Sequence, residues 1–588
     1  MLLKMSGYTS KSLRVDLSTK KTEIISTPSG LIEKFIGGRG LGVALIGSRI
    51  RNEFNSPEMP LIFASGPLVG TAAPTSGRSA VISRSPLTGT IFDCSVGGRF
   101  GTELKKAGFD YIEIVGMSDS WVLLDIEDGI AGIEDAARLE GKNVEESRRQ
   151  MGESGSDAVI GIAGEKGVAF ASIVFDGHYL AGRGGLGAVM GAKRLKAIRV
   201  KRSSPVPVHH PKGLLEARDE IMRLLRASQA VFGELGLSEF GTSALVDLIH
   251  ARRMEPTGNF RSTFYESASS YSGYNLKSRY KTKKTGCTGC PVLCKKTGEN
   301  GEIIPEYETV SHFGALNRNN DISAIVEANR LCNDYGMDTI SAAAAISCYA
   351  ETEGIALTPG EMLDTIHKIG RCETGLGEEL SRGSYAYAEA RGRTDLSMSV
   401  KGLELPAYDP RGAYGMALAY VTSNRGGCHL RAYPISHEIL RRPVATDRFS
   451  FEGKARIIKI AEDTNAVIDS ITACKFVFFA ASLEEYAKAF SSVTGLDHSA
   501  QSLLRAGERI YVLERHLNFL NGFNSDDDDL PERFFSEEGS SSPHLKIKPL
   551  IREEFLSARN NYYKVRGYGP KGIPGRELLM KLGLGDYI

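Results

Sequence analysis

Three cysteines fall within eight residues, at Cys287, Cys290 and Cys294. Gaps of two and three residues let one tight loop turn three thiolates toward a common point, and Pro291 stiffens that loop. The middle of the chain is thus expected to wrap an inorganic group whose fourth ligand arrives from elsewhere. An iron–sulfur cluster and a zinc knuckle both meet the spacing, although two-then-three is less typical of paired zinc knuckles. Of the other six cysteines, Cys332, Cys348 and Cys372 lie in helical-looking stretches and read as small core residues, while Cys94 and Cys428 adjoin glycine-rich segments. Cys474, just ahead of an apolar run, is the best fourth ligand.

At 588 residues the chain can bury several cores and is expected to divide into two to four domains. Its 72 basic and 71 acidic side chains nearly cancel, and no basic stripe with interleaved aromatics occurs, so nucleic acid is not an expected partner. No apolar run reaches membrane-spanning length, and Met1 to Lys21 lacks a leader's apolar stretch. Nine cysteines are too few, and odd in number, for a disulfide framework. The expectation is a soluble, cytoplasmic protein in a reducing compartment, with no membrane contact.

Glycine is abundant at 65 residues, 30 of them in the first 200, where short strand-like runs (Ser12 to Leu17, Leu61 to Ala64, Tyr111 to Val115, Ala169 to Val174) alternate with Gly, Pro and Ser clusters. A polar, proline-containing stretch from Lys201 to Lys212 reads as a linker. Helical periodicity follows from Leu214, with two helices over Ile322 to Ser347 broken at Asn333 to Gly336; after Ser399 to Arg411 helices resume from Gly415 and around Ala473 to Ser491. The expected class is α+β: a β-rich domain over 1–204, a helical domain carrying the cysteine loop over 205–400, and a second helical domain with Cys474 over 401–588. The acidic run Asp526 to Asp529 reads as an exposed loop. Gly182-x-Gly184-x2-Gly187 matches a dinucleotide fingerprint, but it does not directly follow its expected strand (Ala171 to Phe175) and lacks an acidic residue about 20 positions on, so the Rossmann reading is poor.

The cysteine triad together with Asp469-Ser470-x3-Cys474-Lys475-Phe476 resembles the aldehyde:ferredoxin oxidoreductase family, whose members carry tungsten or molybdenum on two pterins beside a [4Fe–4S] cluster. An ordered set of segments along nearly the whole chain agrees: Ile36-Gly37-Gly38-Arg39-Gly40, Ser76-Gly77-Arg78, Gly97-Gly98-Arg99, Ala181-Gly182-Arg183-Gly184, Pro305-Glu306-Tyr307-Glu308 and Asn333-x2-Gly336-Met337-Asp338. The resemblance implies that Arg78, Ser95, Gly97, Gly182 and Arg183 contact the pterins and their Mg²⁺-bridged phosphates. It pairs the loops Asn333 to Asp338 and Asp469 to Cys474, each bonding one pterin, and adds Asn424, Arg425 and Lys475 to the cofactor-binding set. Departures from the family pattern are Ser95 for asparagine, Asn333 for aspartate, Met337 for leucine, and Thr472-Ala473 for Gly-Leu. Asp338 also reads as the N-cap of the following helix.

Aldehyde oxidation releases two electrons and two protons, so it needs a metal and a proton-handling group. Glu306 and Glu308, two apart in an extended-looking segment, are expected on one strand face, with Glu308 at the family's glutamate position. His429 stands where the family carries a histidine beside the metal; Tyr408 is a third candidate. The resemblance implies electron transfer to ferredoxin or a ferredoxin-like subunit, and a possible homodimer, Glu327 matching the family's bridging glutamate. The rivals are a relative acting on an acyl thioester or sugar phosphate, and a zinc-stabilised binding subunit without redox chemistry.

Overall fold

The structure, a computed structural model, describes residues 5–152, 154–201 and 204–588; Arg202 and Ser203 of the expected linker, and Met1 to Lys4, lie outside them. Strand-forming runs, most of them with alternating or complete burial, build two six-stranded sheets. The first comprises β1 (Lys11–Asp16), β2 (Lys21–Ser26), β3 (Leu61–Ala64), β4 (Ser79–Arg84), β5 (Ile91–Val96) and β6 (Tyr111–Val115), in the order β2-β1-β6-β3-β4-β5. The second comprises β7 (Val122–Glu127), β8 (Ile130–Asp135), β9 (Ser156–Val159), β10 (Ile173–Phe175), β11 (Tyr179–Ala181) and β12 (Leu195–Lys201), in the order β11-β10-β9-β12-β7-β8. Pairing is antiparallel except for β1 with β6 and β12 with β7. Apolar side chains of both sheets, among them Phe63, Phe175 and Ile198, share one core with Phe100 of the helix Phe100–Lys106. The edge strands β5 and β11 come together, and the loops that leave them open on the same space.

From Pro211 the chain is mainly helical, as expected from its apolar periodicity. The helix Ile322–Tyr335 runs through the predicted break and stops at Gly336, whose φ of +73° ends it in the left-handed region. Asp338 then caps Thr339–Glu353, accepting from the N–H groups of Ile340 (3.1 Å) and Ser341 (3.2 Å). Met337 pairs with Ala171 and the Asp338 N–H donates to Phe170 O, so this loop is pinned to the second sheet's approach. The expected strand from Ala169 is accordingly shortened to β10.

Two further readings need correcting. Asp528 is fully buried between Arg515 and Lys401, so the acidic run is not simply an exposed loop; burial opposes its charge, but those two cations outweigh it and hold its pKa down to about 2. Cys372 lies beyond its helix at φ +50° and is only part-buried, unlike the core residues Cys332 and Cys348. The Rossmann reading fails for a further reason, and one of its two inferred grounds is corrected. β11 does directly precede Gly182, but it runs opposite to β12, so the unit is not a parallel βαβ crossover.

Candidate active site

A cavity of 1620 Å³ opens where the edge-strand loops, the 336–338 turn and the ends of C-terminal helices meet. Sites for one drug-sized ligand span roughly 300–1000 Å³, so this space holds more than a small substrate. Of the residues expected to hold cofactors, cluster or protons, all but Met337 and Asn424 line it. Met337 is fully buried, its N–H on Cys332 O at 2.7 Å. Asn424 turns away and donates to Tyr511 O (2.9 Å) and Glu514 Oε2 (3.1 Å).

The cysteine loop is held at its base by an antiparallel hairpin, β13 (Lys283–Thr285) with β14 (Lys295–Thr297). Its tip turns at Gly289 (φ +67°), and the Thr288 N–H reaches Gly98 O at 3.3 Å. Cys474 arrives differently. The helix Lys454–Ile471 ends at Thr472 in the left-handed region, and the Cys474 N–H then bonds Thr75 O at 3.0 Å. All four thiols are free of disulfides and line the cavity. Burial pushes the Cys290 thiol up to about 12, and the charge of Cys474 and then Cys287 pushes it the same way; Cys294 is likewise raised by burial and by Cys474. Part-buried thiols, of which Cys290, Cys294 and Cys474 are raised by burial and by neighbouring thiols, suit a cationic iron–sulfur unit, which stabilises thiolates. Among the described residues no three His, Cys, Asp or Glu side chains converge on a single metal ion.

The glycines serve two purposes. A Cβ at Gly97 would stand 2.4 Å from Cys287 Sγ, and one at Gly38 only 2.5 Å from Asp469 O, so these positions admit close approach by the chain's own cysteine loop and helix end. At Gly182 the nearest atom to such a Cβ is 3.7 Å away, which leaves that backbone open to a flat ligand. Arg78 forks onto Ser95, its Nε to Oγ at 2.9 Å and Nη2 to the carbonyl at 2.7 Å. Ser95 Oγ is therefore occupied by Arg78, a poor fit to Mg²⁺ ligation. Arg183 is fixed by Asp338 Oδ2 (3.2 Å) and the carbonyls of Glu404 (2.7 Å) and Gly427 (3.0 Å). Asp469 is bound by Lys475, by Arg39 (3.3 Å) and by Arg431 (3.4 Å); Arg39 continues to Glu514 at 2.7 Å. Arg425 places two guanidinium nitrogens on Cys428 Sγ (3.2 and 2.9 Å).

The two glutamates do not share a strand face. Glu306 is the N-cap of the helix Tyr307–Phe313, whose first N–H bonds Thr242 Oγ1 at 3.0 Å, and Glu308 already lies in its first turn. Glu306 consequently turns toward Lys295 (3.3 Å) at 45% exposure, whereas Glu308 is 17% exposed and reaches His429, Oε1 to Nε2 at 3.5 Å. Glu308 Oε2 accepts from the Ala407 N–H at 2.9 Å. Burial drives its pKa up to about 8 despite that hydrogen bond and Arg183. His429 is held well below its ordinary value by burial and then by Arg183 and Arg425, so its ring is neutral. Among the described residues Glu308 Oε1 and His429 Nδ1, both buried polar atoms, have no hydrogen-bond partner, so both are available to a ligand. Tyr408 packs its ring 5.6 Å from His429 and shares a hydrogen bond with Tyr433 (3.1 Å).

Sequence reasoning missed His312, one helical turn after Glu308, whose Nδ1 lies 2.7 Å from Glu308 O and 3.6 Å from Glu308 Oε2. The i, i+4 spacing would have revealed it had the segment been read as a helix. It also missed Asp93, on β5, which binds Arg431 and lies 3.5 Å from Arg39.

Comparison with known proteins bears on the whole chain. Residues 12–202 match the model of the aldehyde ferredoxin oxidoreductase N-terminal domain, and residues 216–584 that of domains 2 and 3. The chain belongs to the aldehyde ferredoxin oxidoreductase family. It is similar to the tungsten-containing aldehyde ferredoxin oxidoreductase of Pyrococcus furiosus, 38% identical over 99% of this chain and 100% of that one, and to its namesake in Thermococcus kodakarensis, 37% identical with the same coverage. An aliphatic sulfonate oxidoreductase, WOR-like subunit, from P. furiosus is 28% identical over 99% of this chain and 98% of its own. The active site complex BamBC of benzoyl coenzyme A reductase shares the fold, with a TM-score of 0.84 at 23% identity, covering 99% of this chain and 98% of that one. Family membership makes this protein an oxidoreductase and removes the reading of a zinc-stabilised subunit without redox chemistry.

Proposed function

We propose that this family member oxidises an aldehyde to its carboxylic acid at a tungsten bis-pterin centre in the cavity, with Cys287, Cys290, Cys294 and Cys474 holding a [4Fe–4S] cluster that passes electrons to ferredoxin. The observation that carries the proposal is the buried Glu308–His429 pair, each with an unpartnered polar atom, in the same cavity as four thiols and the Arg78 and Arg183 forks. When bound, the metal centre supplies the two-electron acceptor and the cluster a one-electron outlet. In the net reaction the aldehyde C–H bond breaks, a C–O bond to water oxygen forms, and two electrons and two protons leave. Glu308 handles a proton: at neutral pH its carboxyl exchanges readily, its pKa of about 8 lying near the working range. Neutral His429 offers an N–H to the substrate oxygen, Tyr408 packs against the imidazole, and the Ala407 N–H steadies Glu308 Oε2. Arg183 fixes the loop opposite through Asp338.

The test is anaerobic purification, metal analysis and aldehyde oxidation coupled to a viologen dye. Tungsten or molybdenum with about four irons and four labile sulfides per chain, and aldehyde-dependent dye reduction, are expected. Metal-loaded protein that turns over a thioester, a sugar phosphate or a sulfonate but no aldehyde would overturn the substrate assignment.

A further inference from the structure

Between Lys277 and Lys296 the chain carries seven Lys or Arg residues and no Asp or Glu. They surround the cysteine loop: Lys277 and Arg279 on the helix Gly273–Tyr280, Lys281 beyond its end, Lys283 and Lys284 on β13, and Lys295 and Lys296 on β14. Three carboxylates answer them. Glu239 takes Lys277 and Lys284 (2.8 Å), Glu299 takes Lys281 (2.6 Å) and Glu306 takes Lys295 (3.3 Å), which leaves the site strongly positive. Among the described residues exposed Lys283 has no ion pair, and Arg279 bonds only the uncharged Ser323 Oγ, at 2.6 Å. Inside this basic frame Thr288 and Gly289, at the loop tip between Cys287 and Cys290, are exposed, and among the described residues nothing stands within 4 Å of where a Gly289 side chain would point. The tip that joins Cys287 to Cys290 thus consists of two small exposed residues.

We propose that this basic hairpin is the docking surface for the electron acceptor, a small electron-transfer protein that presents a carboxylate-rich face and seats its redox centre over Thr288 and Gly289. The proposal rests on the function argued above, since it requires electrons to leave by way of these thiols. Charge complementarity of this kind raises encounter rates and fades with salt, whereas uncompensated like charge repels the partner. The experiment compares holoenzyme with K283E and R279E, neither of which lies in the catalytic or cofactor-holding machinery. Aldehyde oxidation is followed with two acceptors, an acidic ferredoxin and the dication methyl viologen. The surface is supported if each charge reversal raises the KM for ferredoxin about tenfold and flattens its salt dependence, while viologen reduction is unchanged or faster. Ferredoxin kinetics that ignore both charge reversal and salt, with viologen reduction intact, would overturn the docking surface alone. Absence of aldehyde-dependent viologen reduction in the unaltered enzyme would instead sink the underlying function.

Discussion

Glu308 shows how burial sets chemistry at a single residue. Its carboxyl is raised to about 8 chiefly by desolvation, so the ionised form accumulates as pH climbs through that value. If the ionised form is the working base, kcat with a dye acceptor rises with pH and levels off above about 8; Glu308→Gln removes that limb and lowers turnover ~10²–10⁴-fold with metal content unchanged. A Glu308→Gln enzyme with near-parental rates would shift the role to Glu306 or Tyr408. The linkage sign is opposite for stability: a raised carboxyl pKa favours the folded state below the unfolded value of 4.5, and that contribution is lost as pH rises through about 8. The motif made Glu308 legible in the sequence but hid its setting. Glu306 is itself extended, as expected, yet as an N-cap it starts a helix, so the residue two positions on faces another way. Asp528 was misread for a related reason: its partners lie 13 and 127 positions away, and local composition carries no trace of them.

The contact between the cysteine loop and the β5 end leaves no room for added volume. Gly97 follows β5 directly, and a methyl group there would overlap Cys287 Sγ at 2.4 Å and crowd Tyr179 Cδ1 at 3.1 Å. Neither the strand nor the sulfur can yield far, since the hairpin β13–β14 fixes the loop from the other side. Gly97→Ala is therefore expected to lower iron and labile sulfide per chain, read by chemical analysis and by the cluster's visible absorption; Gly132→Ala, likewise outside the left-handed region but with nothing within 4 Å among the described residues, should retain both. Full iron content in Gly97→Ala would show that the loop relaxes. Element types were largely legible from periodicity and punctuation, as β3 and β6 match their expected bounds. The reason for the glycines was only half legible. Those at 38 and 97 yield to the chain's own helix end and cysteine loop, contacts between segments hundreds of residues apart that no local pattern encodes.

At the scale of the whole molecule, the four thiols come from two segments separated by 180 residues, Cys294 being the last of the triad and Cys474 standing alone. A cluster joining them closes that stretch of chain, and by loop-closure scaling such a cross-link stabilises on the order of 5 kcal/mol. Cys474→Ala is expected to lose the cluster absorption and to lower the thermal midpoint by several degrees, whereas Cys348→Ala, a buried core change, keeps the absorption; equal iron in both would remove Cys474 from the ligand set. The separation also has a meaning in time. During synthesis at roughly 5–20 residues per second, the triad emerges about 10–40 s before Cys474 does. Throughout that interval a nascent chain offers three thiols, an incomplete set for a cubane. On the proposed ligand set, cluster insertion therefore waits until Cys474 has been made, an order set by where one cysteine sits in the gene.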